Sequence, residues 1–150
     1  PVSRLTRHRM TFVDASAWVA LFDVRDGHHE EASEYYRLLI EDLNEPIVTS
    51  NWTVYEALSV VKSHAGYDSM YYLRRLLYEG VGVTIVRVSE TAEDEAVNLF
   101  TNPVYQNKRW SVVDCANAVI ASQHGCQEFF AFNPRDYFEL CGRFDILVVH

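Results

Sequence analysis

Five short apolar runs, separated by longer amphipathic stretches, set the strongest limit on how this chain can fold. The runs lie at 11–14 (TFVD), 46–49 (PIVT), 83–88 (VTIVRV), 128–132 (EFFAF) and 145–149 (DILVV). None shows the strict alternation of a strand with one wet face. Each therefore reads as a strand covered on both sides, as in a parallel sheet. The stretches between them carry apolar residues at helical spacing. They are 29–42 (Ala32, Tyr35, Tyr36, Leu39, Ile40), 52–64 (Val54, Leu58, Val61), 69–79 (Met70, Leu73, Leu76, Leu77), 92–101 (Ala96, Leu99, Phe100) and 112–124 (Val113, Ala116, Ala118, Val119, Ala121). Another helix-like apolar segment follows Asp14. Gly66, Gly80 and Gly125 come after helical stretches, where a left-handed cap is commonly needed. Strands alternating with helices imply an α/β fold on a parallel sheet. Two helices separate the second and third strands, so the order is not a plain βαβαβ repeat.

Composition narrows the function. A chain of 150 residues, 49% of them apolar, suffices for one domain with its own core. We assign that domain to residues 10–150 and read 1–9 as a disordered basic arm. With no apolar stretch behind it, the arm is not a signal peptide. No run approaches the roughly 18–20 apolar residues of a membrane span. Cys115, Cys126 and Cys141 are odd in number and widely spaced, which gives neither a disulfide framework nor a zinc ribbon. Two of them lie in apolar settings and read as small core residues, and the compartment reads as reducing, hence cytoplasmic. The net charge of −8 argues against nonspecific nucleic-acid binding by the bare surface. It leaves room for a nucleic-acid enzyme, because acids loaded with divalent cations present positive charge to a phosphate.

Asp14 closes the first strand, and in open α/β sheets ligands bind beyond the carboxyl ends of the strands. Three further acids occupy comparable places. Glu56 follows the second strand in VTSNWTVYEAL, Asp114 lies near a helix start in RWSVVDCANAVIA, and Asp136 follows the fourth strand in AFNPRDYF. Taken singly, each has a simpler account. Ser111-x-x-Asp114 and Thr53-x-x-Glu56 resemble capping boxes, and Asn133-Pro134 resembles an N-cap followed by proline. An acid in a first turn stabilises a helix with no chemistry required. Taken together, four acids at one sheet edge supply oxygen ligands for a hard divalent cation, and they repel one another without it. The chemistry suggested is metal-assisted phosphodiester hydrolysis.

The ordered set FVDASAWVALFD, VTSNWTVYEAL, WSVVDCANAVIA and AFNPRDYF resembles the PIN domains of VapC-type toxins, from about Met10 to Val149. The resemblance implies a three-layer α/β/α sandwich around a short parallel sheet. It implies a Mg²⁺- or Mn²⁺-dependent endoribonuclease acting on RNA, the toxin of a toxin–antitoxin pair, with an antitoxin protein as partner and a homodimer as common assembly. Asp14, Glu56, Asp114 and Asp136 match the family's acidic quartet. Asp14 and Asp114 would hold the metal directly; Glu56 and Asp136 would complete the shell or orient the attacking water. Ser16, Ser111 and Asn133 fall where supporting polar residues stand. Ala131 departs from the family's usual Thr or Ser, and Asn133 stands where many members carry the last acid. These departures motivate a competing reading, a catalytically inactive binding or dimerisation module. An aspartyl phosphatase is a weaker third, because Asp14-Ala-Ser lacks the second acid such an enzyme uses.

Other features have readings on both sides. Lys108, Arg109 and Arg135 flank the acid segments, where they could meet RNA phosphates or pair with neighbouring acids. His28 and His29 read better as a loop entering a helix than as metal ligands. Tyr67, Tyr71, Tyr72 and Tyr78 suit a protein contact surface. Trp18, Trp52 and Trp110 are expected in the core or the site walls.

Overall fold

A computed structural model of the chain describes residues 9–132 and 134–149, without the side chains of 134–136. The sheet has strands β1 (Thr11–Val13), β2 (Ile47–Ser50), β3 (Val83–Val86), β4 (Glu128–Phe130) and β5 (Leu147–Val149), all parallel, in the order β3-β2-β1-β4-β5. Between them run α1 (Ala15–Phe22), α2 (His29–Arg37), α3 (Asn51–Ala65), α4 (Tyr67–Glu79), α5 (Glu90–Phe100), α6 (Val112–Gln123) and α7 (Pro134–Gly142). The proposed 1–9 arm falls outside the described residues except for Arg9, which pairs with Glu128 at 3.1 Å.

Strand periodicity sorts the core into two faces. Phe12, Val48, Phe129 and Val148 point towards α5, α6 and α7; Val13, Ile47 and Phe130 point towards α1 to α4. The sheet is thus the middle layer of a three-layer α/β/α sandwich. Phe12 and Phe129, in register across β1 and β4, stack at 4.9 Å and are wholly buried. Each such ring contributes roughly 1.5–3 kcal/mol through burial.

The strand order carries the functional consequence. From β1 the chain steps outward through β2 to β3, then crosses back to lay down β4 and β5 on the other side. The crevice beyond the carboxyl ends of β1 and β4 is therefore the topological switch point. Asp14 stands there.

Helix starts follow the expected chemistry, with one correction. Ser50, Ser89 and Ser111 cap α3, α5 and α6 by accepting from Thr53, Ala92 and Asp114 N–H groups. The Thr53-x-x-Glu56 capping box does not form. The helix α3 begins directly after β2, so Ser50 is the cap and Thr53 is already helical. The helical stretch 29–42 also departs from one regular helix, because its last turn, Leu38–Asp42, is π-wound.

Gly66 and Gly125 have positive φ, although Gly66, with ψ 173°, is extended rather than left-handed helical, and Gly80 has φ −71°. What demands glycine at position 80 is proximity: a Cβ there would lie 2.2 Å from the Leu76 carbonyl oxygen. Gly66 alone separates α3 from α4, at φ 93° and ψ 173°, a conformation essentially confined to glycine. Gly66→Ala is expected to cost roughly 1–3 kcal/mol in urea unfolding. Gly27→Ala, which has open space and an ordinary φ, serves as the control and should change little.

Candidate active site

Asp14 is the residue that turns β1 into α1. As N-cap it accepts the Ser16 N–H at 3.1 Å on Oδ2, and the Ser16 hydroxyl donates to the same oxygen at 2.8 Å. Its Oδ1 accepts from the Tyr137 hydroxyl at 2.9 Å and from Asn117 Nδ2 at 3.4 Å. The carboxylate is buried, and burial raises its pKa. The Ser16 and Tyr137 hydrogen bonds oppose that rise, while Asp114 adds to it.

Asp114 is placed by the predicted capping box at the start of α6. Its Oδ2 accepts the Ser111 N–H at 2.7 Å while the Ser111 hydroxyl accepts the Asp114 N–H. Capping and function are not alternatives at this residue, because one carboxylate oxygen is enough for the cap. The other, Oδ1, lies 2.6 Å from the Tyr137 hydroxyl. A hydroxyl has one proton to donate. Two carboxylate oxygens therefore converge on a single donor. Tyr137 remains that donor: burial and the two acids push its phenol well above the ordinary range. Its ring packs on Phe129 at 4.4 Å, so the sheet fixes where the hydroxyl points.

Glu56, in the second turn of α3, is exposed at the rim. Its pKa is raised first by desolvation and then by Asp14 and Asp114, which places the three acids in one electrostatic neighbourhood. They share a cleft of about 390 Å³ whose walls include Ser16, Asp26, His28, His64 and Phe132. A second hollow of about 280 Å³, beside Leu99, Val119 and Phe144, contains none of these acids.

Asn117 and Tyr137 were not singled out in the sequence. Asn117 is fully buried on α6, where its Oδ1 accepts the Ser50 and Thr53 hydroxyls at 2.8 and 2.9 Å and its amide donates to Asp14. Its signal was available: it is a polar residue one turn after Asp114 in an otherwise apolar helix. Tyr137 had none beyond its place next to Asp136.

The remaining expected residues divide. Ser16 and Ser111 each hold an acid, as described. Asp136 and Arg135 lie in the first turn of α7, but their side chains, and Asn133 altogether, fall outside the described residues. Lys108 pairs with Glu139, and neither Lys108 nor Arg109 lines the cleft. The adjacent histidines diverge: His29 contacts the Ala20 carbonyl at 2.8 Å, while His28 faces the cleft. Trp18 and Trp110 are buried and Trp52 packs against the core. All three cysteines are buried, and burial pushes each thiol up to about 12, which leaves no reactive thiolate.

Among the described residues no three His, Cys, Asp or Glu side chains form a ready-made metal cage. The donors that do converge, Asp14 and Asp114, are hard oxygens with Glu56 across the cleft. This suits an ion such as Mg²⁺, which binds through one or two carboxylates and keeps several waters. The buried, hydrogen-bonded Asp14 is the observation that favours a cation there.

The raised pKa of Asp14 has a stability consequence. The folded state takes up the proton more readily than the unfolded chain does. The penalty of the buried charge is absent below the ordinary carboxylate range and complete once pH exceeds the raised value. Asp14→Asn removes that titration, so in urea titrations of metal-free protein across pH the variant is expected to lack the loss of stability that wild type shows as pH rises through the raised value. The same pH profile for both proteins would contradict the assignment.

Comparison with known proteins agrees with this geometry. The family model described as PIN domain matches residues 11–140. Ribonuclease VapC26 of Mycobacterium tuberculosis is 25% identical over 139 residues, spanning 90% of this chain and 98% of that protein. The crystal structure of M. tuberculosis VapC20, described as a sarcin–ricin loop cleaving toxin, superposes with a TM-score of 0.74 at 20% identity, covering 86% of this chain and 94% of the other. A toxin–antitoxin complex from Klebsiella pneumoniae matches with a TM-score of 0.61 at 18% identity, over 93% and 96%. With a family model spanning nearly all of its sheet and the acids at the switch point, this chain belongs to the PIN domain family.

Proposed function

We propose that this protein is a Mg²⁺- or Mn²⁺-dependent endoribonuclease of the cytoplasm, the toxin of a VapC-type toxin–antitoxin pair. The observation that carries the reading is the convergence of the Asp14 and Asp114 carboxylates at the switch point, with Glu56 across the cleft. The bound metal would neutralise charge on the phosphoryl group and supply an activated water. Asp14 and Asp114 would hold that ion. Glu56, exposed and of raised pKa, would serve as a base at the cleft rim. Tyr137 and Asn117 keep Asp14 facing Asp114. Asp136 is the fourth acid, with Asn133 supporting it. Arg135, Arg109 and Lys108 meet phosphates along the RNA, Lys108 exchanging Glu139 for its phosphate.

The partners follow from the relatives and from the surface. VapC26 is named a ribonuclease, VapC20 is described as cleaving the sarcin–ricin loop, and the Klebsiella structure is a toxin–antitoxin complex. An antitoxin that covers the acid cleft would silence the enzyme. Tyr67, Tyr71, Tyr72 and Tyr78 are all exposed along α4, a surface suited to a homodimer. The inactive-module reading rests on Ala131 and Asn133. Against it stands a carboxylate buried at the switch point beside a second acid, an arrangement that a pure binding module would not need.

The test is cleavage of a mixed pool of tRNA and structured RNA with Mg²⁺, Mn²⁺ or EDTA. Metal-dependent cutting is expected. It should fall by at least roughly a hundredfold in Asp14→Asn and Asp114→Asn, since even outer-shell losses cost about 10–100-fold. Inert wild-type protein would return the inactive module. Cutting that survives both substitutions would remove these acids from the mechanism.

A further inference from the structure

One wall of the acid cleft is aromatic, and nothing in the metal chemistry uses it. His28 stacks on Phe132 with ring centroids 4.4 Å apart and planes within 11°. Phe132 meets Phe130 edge-on at 5.2 Å, and Phe130 meets Tyr35 at 4.5 Å. The rings make a ladder that rises from the sheet and ends in the cleft at His28. Its terminal ring is half exposed, at 51% of the side chain.

The ladder is fixed relative to the acids. The Phe132 N–H donates to Ser16 Oγ at 3.0 Å, and that hydroxyl donates to Asp14 Oδ2 at 2.8 Å. One hydroxyl thus sets the distance between the aromatic wall and the metal-facing carboxylate. At the other end the His28 N–H donates to Asp26 Oδ1 at 2.8 Å, which pins the backbone below the ring. His28 occupies the N-cap of α2, yet its side chain makes no capping bond. Its Nδ1 edge lies 3.9 Å from Glu31 Oε2. Capping does not explain the ring, and stacking on Phe132 covers one of its two faces.

Resting on the nuclease reading, we propose that His28, backed by Phe132, is a base platform: a nucleobase flanking the scissile phosphate of single-stranded RNA stacks on the outer face of the imidazole. The chemistry fits in two respects. Base–aromatic stacking is strong and tolerant of sequence. The cleft that His28 and Phe132 line also holds Asp14, Glu56 and Asp114, so a base on the ring lies beside the acids.

The experiment uses the full chain in Ca²⁺ and a single-stranded RNA 12-mer of mixed sequence carrying 2-aminopurine at successive positions. Binding is read by anisotropy and stacking by 2-aminopurine quenching, beside wild type, His28→Ala and His28→Phe. Thermal melting of each variant checks folding, and cleavage in Mn²⁺ is followed in parallel. Quenching by wild type and by His28→Phe is expected at one or more positions. The alanine variant should bind about tenfold more weakly, without that quenching and with an unchanged melting temperature. Equal binding and quenching by His28→Ala, with Mn²⁺-dependent cleavage intact, overturns the platform and leaves the nuclease standing. A quenching loss in His28→Phe equal to that in His28→Ala overturns stacking as the cause. No RNA binding and no cleavage by wild type overturns both readings together.

Discussion

The Asp14 carboxylate is held by three residues, one of which, Tyr137, has a single hydroxyl proton between Asp14 and Asp114, and each of those residues also anchors a helix. Ser16 belongs to α1, Asn117 to α6 and Tyr137 to α7. The acid at the end of the central strand is therefore the point where both helical layers meet the sheet. Ser16 extends the connection to β4 through the Phe132 N–H, and Asn117 extends it to α3 through the Ser50 and Thr53 hydroxyls. A displacement of any of these elements would leave a buried polar group unpaired, at about 1–3 kcal/mol.

The same network explains how a costly arrangement persists. A buried carboxylate beside a second one is disfavoured by desolvation and by repulsion. The hydrogen bonds from Ser16, Asn117 and Tyr137 offset part of that cost and a divalent cation would offset the rest. The tension left in the metal-free protein is the physical reason to expect the site to trade stability for function. Asp114 divides its labour in the same network, one oxygen serving the helix cap and the other meeting the Tyr137 hydroxyl.

The fold was legible because its signals are local. Apolar runs without alternation gave the parallel strands, and helical spacing gave the helices. Among the caps, Ser111 was read correctly, while Ser50 and Ser89 were not singled out. Glycine was less reliable, since Gly80 answers to the nearness of the Leu76 carbonyl rather than to a left-handed turn, and only tertiary packing creates that contact. Thr53 misled for a related reason: two cap-like residues stand near one helix start, and the abrupt β2–α3 junction selects Ser50. At the site, Asp14 at a strand end and Asp114 at a helix start were visible in the sequence, as were Ser16 and Ser111 beside them. Tyr137 was not, because its hydroxyl reaches across more than a hundred residues of sequence to Asp14. The parting of His28 and His29 onto different surroundings is likewise a matter of how α2 docks, which no spacing rule encodes.

The most direct test of the central claim is calorimetric titration of Mn²⁺ into the metal-free protein, repeated in buffers of different ionisation enthalpy. If Asp14 is a buried acid of raised pKa that waits for a cation, Mn²⁺ binds near one equivalent. Mildly acidic buffer should then reveal net proton release as the metal displaces the bound proton. Absence of Mn²⁺ binding by folded protein would contradict the account. Binding without proton uptake or release at any mildly acidic pH would show instead that the cation sits elsewhere.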